Sequence, residues 1–170
     1  TQAAQLVRHA LDRRPTDASA WSAYASLLWQ LTERENALKH YRIAACLQDT
    51  CEDYAIAYFR ACHFVRQTDT GLAFLRERVE RLGRKSPFPL ITLFGQLEML
   101  EQTDEAFRLL DKAIEESAEN GDLLLFAGEA KLRYGHAAEA ANLLERARGK
   151  TRQAACLRLQ AQIAQANADL

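Results

Sequence analysis

Apolar residues recur along this chain at steps of three and four positions, the spacing that lines up one face of an α-helix. Residues 109–114 show the pattern, with Leu109, Leu110, Ala113 and Ile114 on one face. No run alternates strictly between apolar and polar residues, as a half-buried strand would. The pattern therefore predicts an all-α chain.

Residues typical of helix ends separate the periodic segments. Asp17, Pro87 and Thr103 stand just before such segments, and Gly135 follows one. Carboxylate and hydroxyl side chains accept hydrogen bonds from the free amides of a first turn, proline tolerates that turn, and glycine tolerates a left-handed exit. We predict ten helices, at residues 2–14, 18–31, 34–48, 52–66, 69–83, 87–101, 104–118, 122–134, 137–148 and 152–168.

A small residue, an apolar residue four positions later and a second small residue three positions further form a pattern that recurs in the chain. It occurs at Ala3, Val7 and Ala10, at Ala37, Tyr41 and Ala44, at Ala106, Leu110 and Ala113, and at Ala140, Leu144 and Ala147. The first two copies are 34 residues apart, as are the last two, and 69 residues separate the copies between. We therefore expect a divergent copy at Gly71 and Leu75, with Arg78 in place of the second small residue. Small residues at a constant interval allow helices to cross closely on the same face in each repeat.

These features resemble the tetratricopeptide repeat, a helix pair of 34 residues with W-x2-L-G-x2-Y in the first helix and A-x3-F in the second. The residues that carry the resemblance are Trp21, Tyr24, Ala25 and Leu28, then Leu124, Ala127 and Gly128, and the second-helix pair Ala37 and Tyr41. Pro15 and Pro87 stand where the late proline of the repeat is expected, whereas Lys131 departs from the pattern.

The resemblance implies a right-handed superhelical solenoid of antiparallel helix pairs. We expect one domain over residues 1–170, with a second helix alone at 1–17, repeats at 18–51, 52–86, 87–120 and 121–154, and a terminal first helix or cap at 155–170. Because the first helix of the opening repeat is missing, we expect the chain to be a segment of a larger protein.

Function in such solenoids usually lies on the surface formed by the first helices. The resemblance therefore predicts a peptide-binding groove whose lining mixes apolar anchors with a few charges, as an extended peptide or an amphipathic helix requires. Its residues are Trp29, Ile56, Arg60, Phe64, Phe88, Ile91, Leu125, Glu129 and Arg133. The alternative is that some of these side chains pack locally.

Charge does not indicate a nucleic acid or a membrane as partner. Twenty-two basic and 23 acidic residues are well mixed and give a net charge of -1, and no stretch approaches the ~18 apolar residues of a membrane helix. Residues 76–85 hold five basic and two acidic side chains. We interpret them as a solvated helix face, with an acidic partner or RNA as the alternative.

Catalytic and metal-binding patterns are absent from the sequence. His9, His40, His63 and His136 lie far apart, and the cysteines at 46, 51, 62 and 156 lack zinc or disulfide spacing, which favours small, buried, reduced thiols. We predict a non-catalytic chain without cofactor or metal.

The sequence thus predicts a scaffold that binds a protein or peptide partner in assembly or recruitment. The alternative is a spacer or self-association segment, acting through open solenoid ends, attached to a larger enzyme or to a secretion or assembly protein. The compartment of the parent protein is not determined by this segment, with the cytoplasm slightly favoured.

Overall fold

The computed structural model describes His9 and residues 11–168, and every regular element among them is an α-helix. The helices are α1 (Ala18–Gln30), α2 (Arg34–Leu47), α3 (Glu52–Phe64), α4 (Thr68–Leu82), α5 (Phe88–Met99), α6 (Thr103–Glu116), α7 (Gly121–Arg133), α8 (Ala137–Ala147) and α9 (Gln153–Ala168). Each begins and ends within two residues of its predicted position. The helix predicted at 2–14 lies largely outside the described residues, of which His9 and residues 11–13 are helical.

The chain divides into two compact units, Thr1–Leu82 and Gly83–Leu170. In the first unit, α1 packs on α2, α2 on α3, and α3 on α4. In the second, α5 to α9 pack in the same sequential manner, and α9 also contacts α7. Short connections make sequential helices antiparallel. We call α1, α3, α5, α7 and α9 first helices, and α2, α4, α6 and α8 second helices. The single domain and its repeat boundaries remain predictions.

The turns between first and second helices share one backbone geometry. Thr32, Arg66, Glu101 and Gly135 each lie two residues after a first helix and have φ between 61° and 81°. In each turn the following amide donates to a carbonyl five residues back, as Glu33 does to Leu28 at 3.0 Å and Gln102 to Leu97 at 2.9 Å. This is the bond that closes a Schellman motif. The turn residues are 34, 35 and 34 positions apart, so the backbone repeats with the period found in the sequence.

The small residues that define the sequence period lie at equivalent, buried positions. Ala37, Gly71, Ala106 and Ala140 are each the fourth residue of a second helix. The three alanines have no exposed surface, and Gly71 is also buried. A β-carbon at Gly71 would lie 2.9 Å from Phe59 Cδ2 and 3.1 Å from Cys62 Cβ. The divergent copy therefore brings its second helix even closer to its first helix than an alanine would permit.

Arg78 occupies the place of a second small residue in α4 and is 1% exposed. Its guanidinium donates to both carboxylate oxygens of Glu52 at 2.8 Å and to the Asp49 carbonyl at 2.6 Å. It thereby ties α4 to the turn before α3. The prediction of a solvated face for residues 76–85 is thus wrong for Arg78, whereas Arg81, Arg84 and Lys85 are exposed.

Replacing Ala140 with leucine should destabilise the second unit by about 1–3 kcal/mol, because the added side chain has no room in a close-packed seam. Ala138→Leu, on an exposed position of the same helix, is the matched control and should change stability by less than about 0.5 kcal/mol. Urea unfolding followed by circular dichroism measures both. Equal effects of the two substitutions would contradict a tight seam at Ala140.

Replacing Arg78 with alanine should lower the free energy of unfolding by about 3 kcal/mol, because Glu52 and the Asp49 carbonyl lose a buried partner. Arg81→Ala removes a guanidinium that is half exposed and 3.5 Å from the Asp49 carboxylate, so little change is expected. Chemical denaturation of the two variants provides the comparison, and a stable Arg78→Ala protein would show that the ion pair is dispensable.

Candidate functional site

In the Thr1–Leu82 unit, the first helices bring two predicted groove residues together at their carboxyl ends. The rings of Trp29 in α1 and Phe64 in α3 meet edge to face with centroids 5.2 Å apart. The ring of Tyr41 also meets Trp29 edge to face, with centroids 6.3 Å apart. The Arg34 guanidinium lies 4.2 Å from the Trp29 ring centroid and 5.4 Å from that of Phe64, and it donates to the Trp29 carbonyl. We call these four residues the aromatic cluster.

Arg60 and Ile56 extend the aromatic cluster along α3. They precede Phe64 by four and eight positions, so the three side chains share one helix face. Phe64 is 66% exposed, Arg60 is exposed and Ile56 is half-buried. A solvent-facing stripe with an aromatic end and a cation beside it therefore runs along α3.

In the Gly83–Leu170 unit, α7 and α9 border an open cavity of about 580 Å³. Its lining combines charged, amide and apolar side chains: Glu129, Leu132, Arg133, Arg158, Gln162, Gln165 and Ala166. Two of them, Glu129 and Arg133, were predicted groove residues. The volume lies within the range of ordinary ligand pockets, roughly 300–1,000 Å³.

Ion pairs link the first helices of this unit. Arg133 of α7 donates to Glu98 of α5 at 2.9 and 3.2 Å, and Arg158 of α9 donates to Glu129 of α7 at 2.8 Å. Each arginine of the cavity is thus neutralised by a glutamate of the neighbouring first helix. The cavity wall therefore carries no net excess of either charge.

The remaining predicted groove residues lie in different surroundings. Phe88 at the start of α5 is 57% exposed and Ile91 is half-buried. Leu125 is 8% exposed and packs with Ala140, Leu144, Cys156, Leu159 and Ile163. Leu125 therefore belongs to the interior in this structure, as the local-packing alternative anticipated.

Sequence reasoning missed Arg34, Arg158, Gln162 and Gln165. Arg34 is the first residue of a second helix, and only first helices were searched for groove residues. The other three lie in α9, which was predicted as a first helix or cap but was not examined for lining residues. Their spacing of three and four positions places them on one helix face and could have identified them.

Lys131 departs from the repeat pattern because it serves a structural contact away from the cavity. Its ammonium lies 2.9 Å from Glu139, 3.6 Å from Asp111 and 4.9 Å from the Phe107 ring centroid. Burial by itself lowers the pKa of Lys131, but the two carboxylates raise it overall. The hydrogen bond from Lys131 lowers the pKa of Glu139 below its ordinary value of 4.5.

The cysteines are only partly as predicted. Cys62 and Cys156 are buried, but Cys51 is half-buried and Cys46 is exposed on α2, so the prediction of a buried thiol is wrong for Cys46. Burial raises the pKa of the Cys62 thiol. Burial also raises the pKa of Tyr58, to about 12, and its hydrogen bond with Cys62 adds to that shift.

Two kinds of site are absent from the described residues. None of their helices combines the length and apolarity needed to cross a bilayer. Within the same part of the chain, no three histidine, cysteine or acidic side chains are grouped so that they could hold a metal ion.

Comparison with known proteins matches part of the chain to a family model and nearly all of it to a known fold. The family model described as tetratricopeptide repeat matches residues 99–163. Among curated proteins, no significant match to the sequence is found.

Solved structures match nearly the whole chain at low sequence identity. PilW, described as a widely conserved type IV pilus biogenesis factor, is 17% identical with a TM-score of 0.55, over 98% of this chain and 78% of PilW. A tetratricopeptide repeat protein from Parabacteroides merdae ATCC 43184 is 17% identical with a TM-score of 0.56, over 98% of this chain and 65% of its own. A thermophilic tetratricopeptide repeat protein from Thermus thermophilus is 19% identical with a TM-score of 0.52, over 98% and 89% of the two chains. These similarities establish the tetratricopeptide repeat fold.

The stabilisation by the Lys131–Glu139 contact should decrease at acidic pH. Because the pKa of Glu139 is lowered in the folded state, its contribution is present above the unfolded value of 4.5 and is lost as pH falls through the folded value. Lys131→Met should therefore destabilise the chain near neutral pH, and its difference from the unsubstituted chain should shrink as pH falls below 4.5.

Urea midpoints measured at several pH values test this expectation. Lys112→Met is the control, because Lys112 is 71% exposed and lies 3.7 Å from Glu116, and exposed pairs contribute little. A Lys131→Met difference that stays constant with pH would contradict the assignment.

Proposed function

We propose that this chain, which has the tetratricopeptide repeat fold and matches the family model over residues 99–163, is a non-catalytic scaffold that binds a peptide segment of a partner protein along its first helices. Tetratricopeptide repeat proteins are generally scaffolds for protein–protein interaction rather than enzymes. The proposal adds the form of the ligand, an extended peptide or an amphipathic helix, and the surface that receives it.

The cavity between α7 and α9 is the observation that carries this proposal. It is open, so a chain could enter and leave along the helices, and it is lined by Leu132 and Ala166 beside Gln162 and Gln165. A glutamine amide carries both donors and an acceptor, which complement the N–H and C=O groups of a peptide backbone. The apolar side chains would receive a ligand side chain.

The charge arrangement also favours a peptide over an ionic small molecule. Glu98 and Glu129 already neutralise Arg133 and Arg158, so a strongly charged ligand would have to displace an existing partner. A peptide backbone is uncharged and needs no such exchange. Exposed Phe88 and half-buried Ile91 supply further apolar surface on a first helix of the same unit.

Selection from a random library of displayed peptides tests the proposal on the chain as it is. Selected peptides should bind less well by at least about tenfold to Ala166→Trp, because an indole at that position fills the cavity. Ala164→Trp, on an exposed position of the same helix, is the matched control and should bind normally. Isothermal titration calorimetry gives the dissociation constants, and circular dichroism verifies equal helicity.

Two results would overturn the proposal. One is a selection that yields no peptide above background. The other is a set of peptides whose binding is unaffected by Ala166→Trp and by substitutions on the other first helices, since the ligand would then occupy another surface.

A further inference from the structure

We propose that the aromatic cluster, together with Arg60, binds peptides in which an acidic residue lies two positions from a large apolar residue in an extended segment. This inference rests on the proposed peptide-binding function and adds the chemical class of the ligand for the Thr1–Leu82 unit. In this proposal Phe64 contacts the apolar side chain of the peptide, and Arg60 and Arg34 bind its carboxylate.

Phe64 provides an apolar surface that the chain itself leaves uncovered. About two-thirds of this residue is exposed, although its ring packs against Trp29. The contacts with Trp29 and Arg34 hold the ring in place, so a ligand would meet a fixed aromatic surface. Fixed aromatic side chains are typical anchors of binding interfaces.

The two arginines beside Phe64 lack the carboxylates that neutralise the arginines of the other unit. Within the described residues, Arg60 has neither an ion pair nor a hydrogen bond from its side chain. Arg34 stacks on the aromatic rings and donates to a backbone carbonyl, and no described carboxylate lies within ion-pair distance of it. Arg133 and Arg158, by contrast, each hold a glutamate.

This difference sets the charge of the ligand. Guanidinium groups bind carboxylates in paired, charge-assisted hydrogen bonds, and Arg60 is available to do so without displacing a partner. Glu33 and Glu35 flank Arg34 in sequence, but neither forms an ion pair with Arg34 or Arg60, and the Glu33 carboxylate accepts a hydrogen bond from Asn36 instead. A ligand carboxylate would therefore meet guanidinium groups that have no ion-pair partner among the described residues.

The spacing on α3 sets the arrangement of the ligand. Arg60 and Phe64 are one helical turn apart, about 6 Å along the axis. In an extended peptide, side chains two positions apart lie on the same face about 7 Å from each other. An acidic residue and an apolar residue at that interval can therefore contact Arg60 and Phe64 at the same time.

A short synthetic peptide with the sequence order glutamate–serine–leucine at its centre is the probe. Trp29 reports on binding once the other tryptophan is removed by Trp21→Phe, since the Trp21 ring stacks on His40 and not on a ring of the aromatic cluster. Tryptophan fluorescence titration should show saturable binding. Changing the central glutamate to glutamine, or moving it four positions from the leucine, should weaken binding about tenfold.

Matched substitutions in the chain distinguish the effect of the local charge on peptide binding from that of the overall charge. Arg60→Gln should weaken binding of the acidic peptide about tenfold, and Phe64→Ala should weaken binding of both the acidic and the glutamine peptide. Arg133→Gln removes an arginine that is already neutralised by Glu98 and should have no effect. The chain as a whole carries a net charge of -1, so non-specific attraction of an acidic peptide would not be expected.

The inference is overturned if the glutamine and glutamate peptides bind equally, or if Arg60→Gln binds as the unsubstituted chain does. It is also overturned if the acidic peptide does not bind while a single-stranded RNA or an anionic vesicle binds through the same residues. A dimer detected by light scattering that buries Phe64 would overturn it as well. If this peptide does not bind but library peptides bind and are weakened by Ala166→Trp, the proposed function still holds. If both fail, the proposed function is lost as well.

Discussion

The closeness of paired helices at one buried small residue is the constraint on which this fold depends. Ala37, Ala106 and Ala140 have no exposed surface, and the space beside Gly71 would not accept even a methyl group without displacement. Close crossing fixes which face of each helix is buried, and the face that remains is then free to bind. The positions of Trp29, Phe64 and Glu129 on first helices follow from this arrangement.

The helices and their repeat were predictable because they depend on local signals that recur. Alanine spacing identified the buried seam, and the helix boundaries were placed within two residues. Three of the four left-handed turns from a first to a second helix were not predicted, since Thr32, Arg66 and Glu101 are not glycine and a side chain there costs only about 1–2 kcal/mol. Arg78 was assigned to solvent because single-sequence patterns cannot indicate that Glu52 and the Asp49 carbonyl lie opposite it.

The candidate site was predicted less completely than the fold. The rule that groove residues lie on first helices selected Trp29, Phe64, Glu129 and Arg133, which have accessible surface, and also Leu125, which is buried. Arg34 was not predicted because it contacts the aromatic rings from a second helix, and its role depends on a cation–π contact between separate helices. Side-chain pairings of this kind are set by tertiary geometry, so the two units can share a backbone pattern while presenting differently charged surfaces to a ligand.

The Arg78 contact has a consequence for modular engineering of this protein. Its side-chain partner, Glu52, lies in the same predicted repeat of residues 52–86, and its other acceptor is the main-chain carbonyl of Asp49, which a residue of any type can supply. Outside residues 52–86, the buried guanidinium therefore needs only one main-chain carbonyl from the preceding turn. A copy of residues 52–86 inserted into another array of the same fold would carry the Arg78–Glu52 ion pair with it, and the host turn would have to present one carbonyl to Arg78.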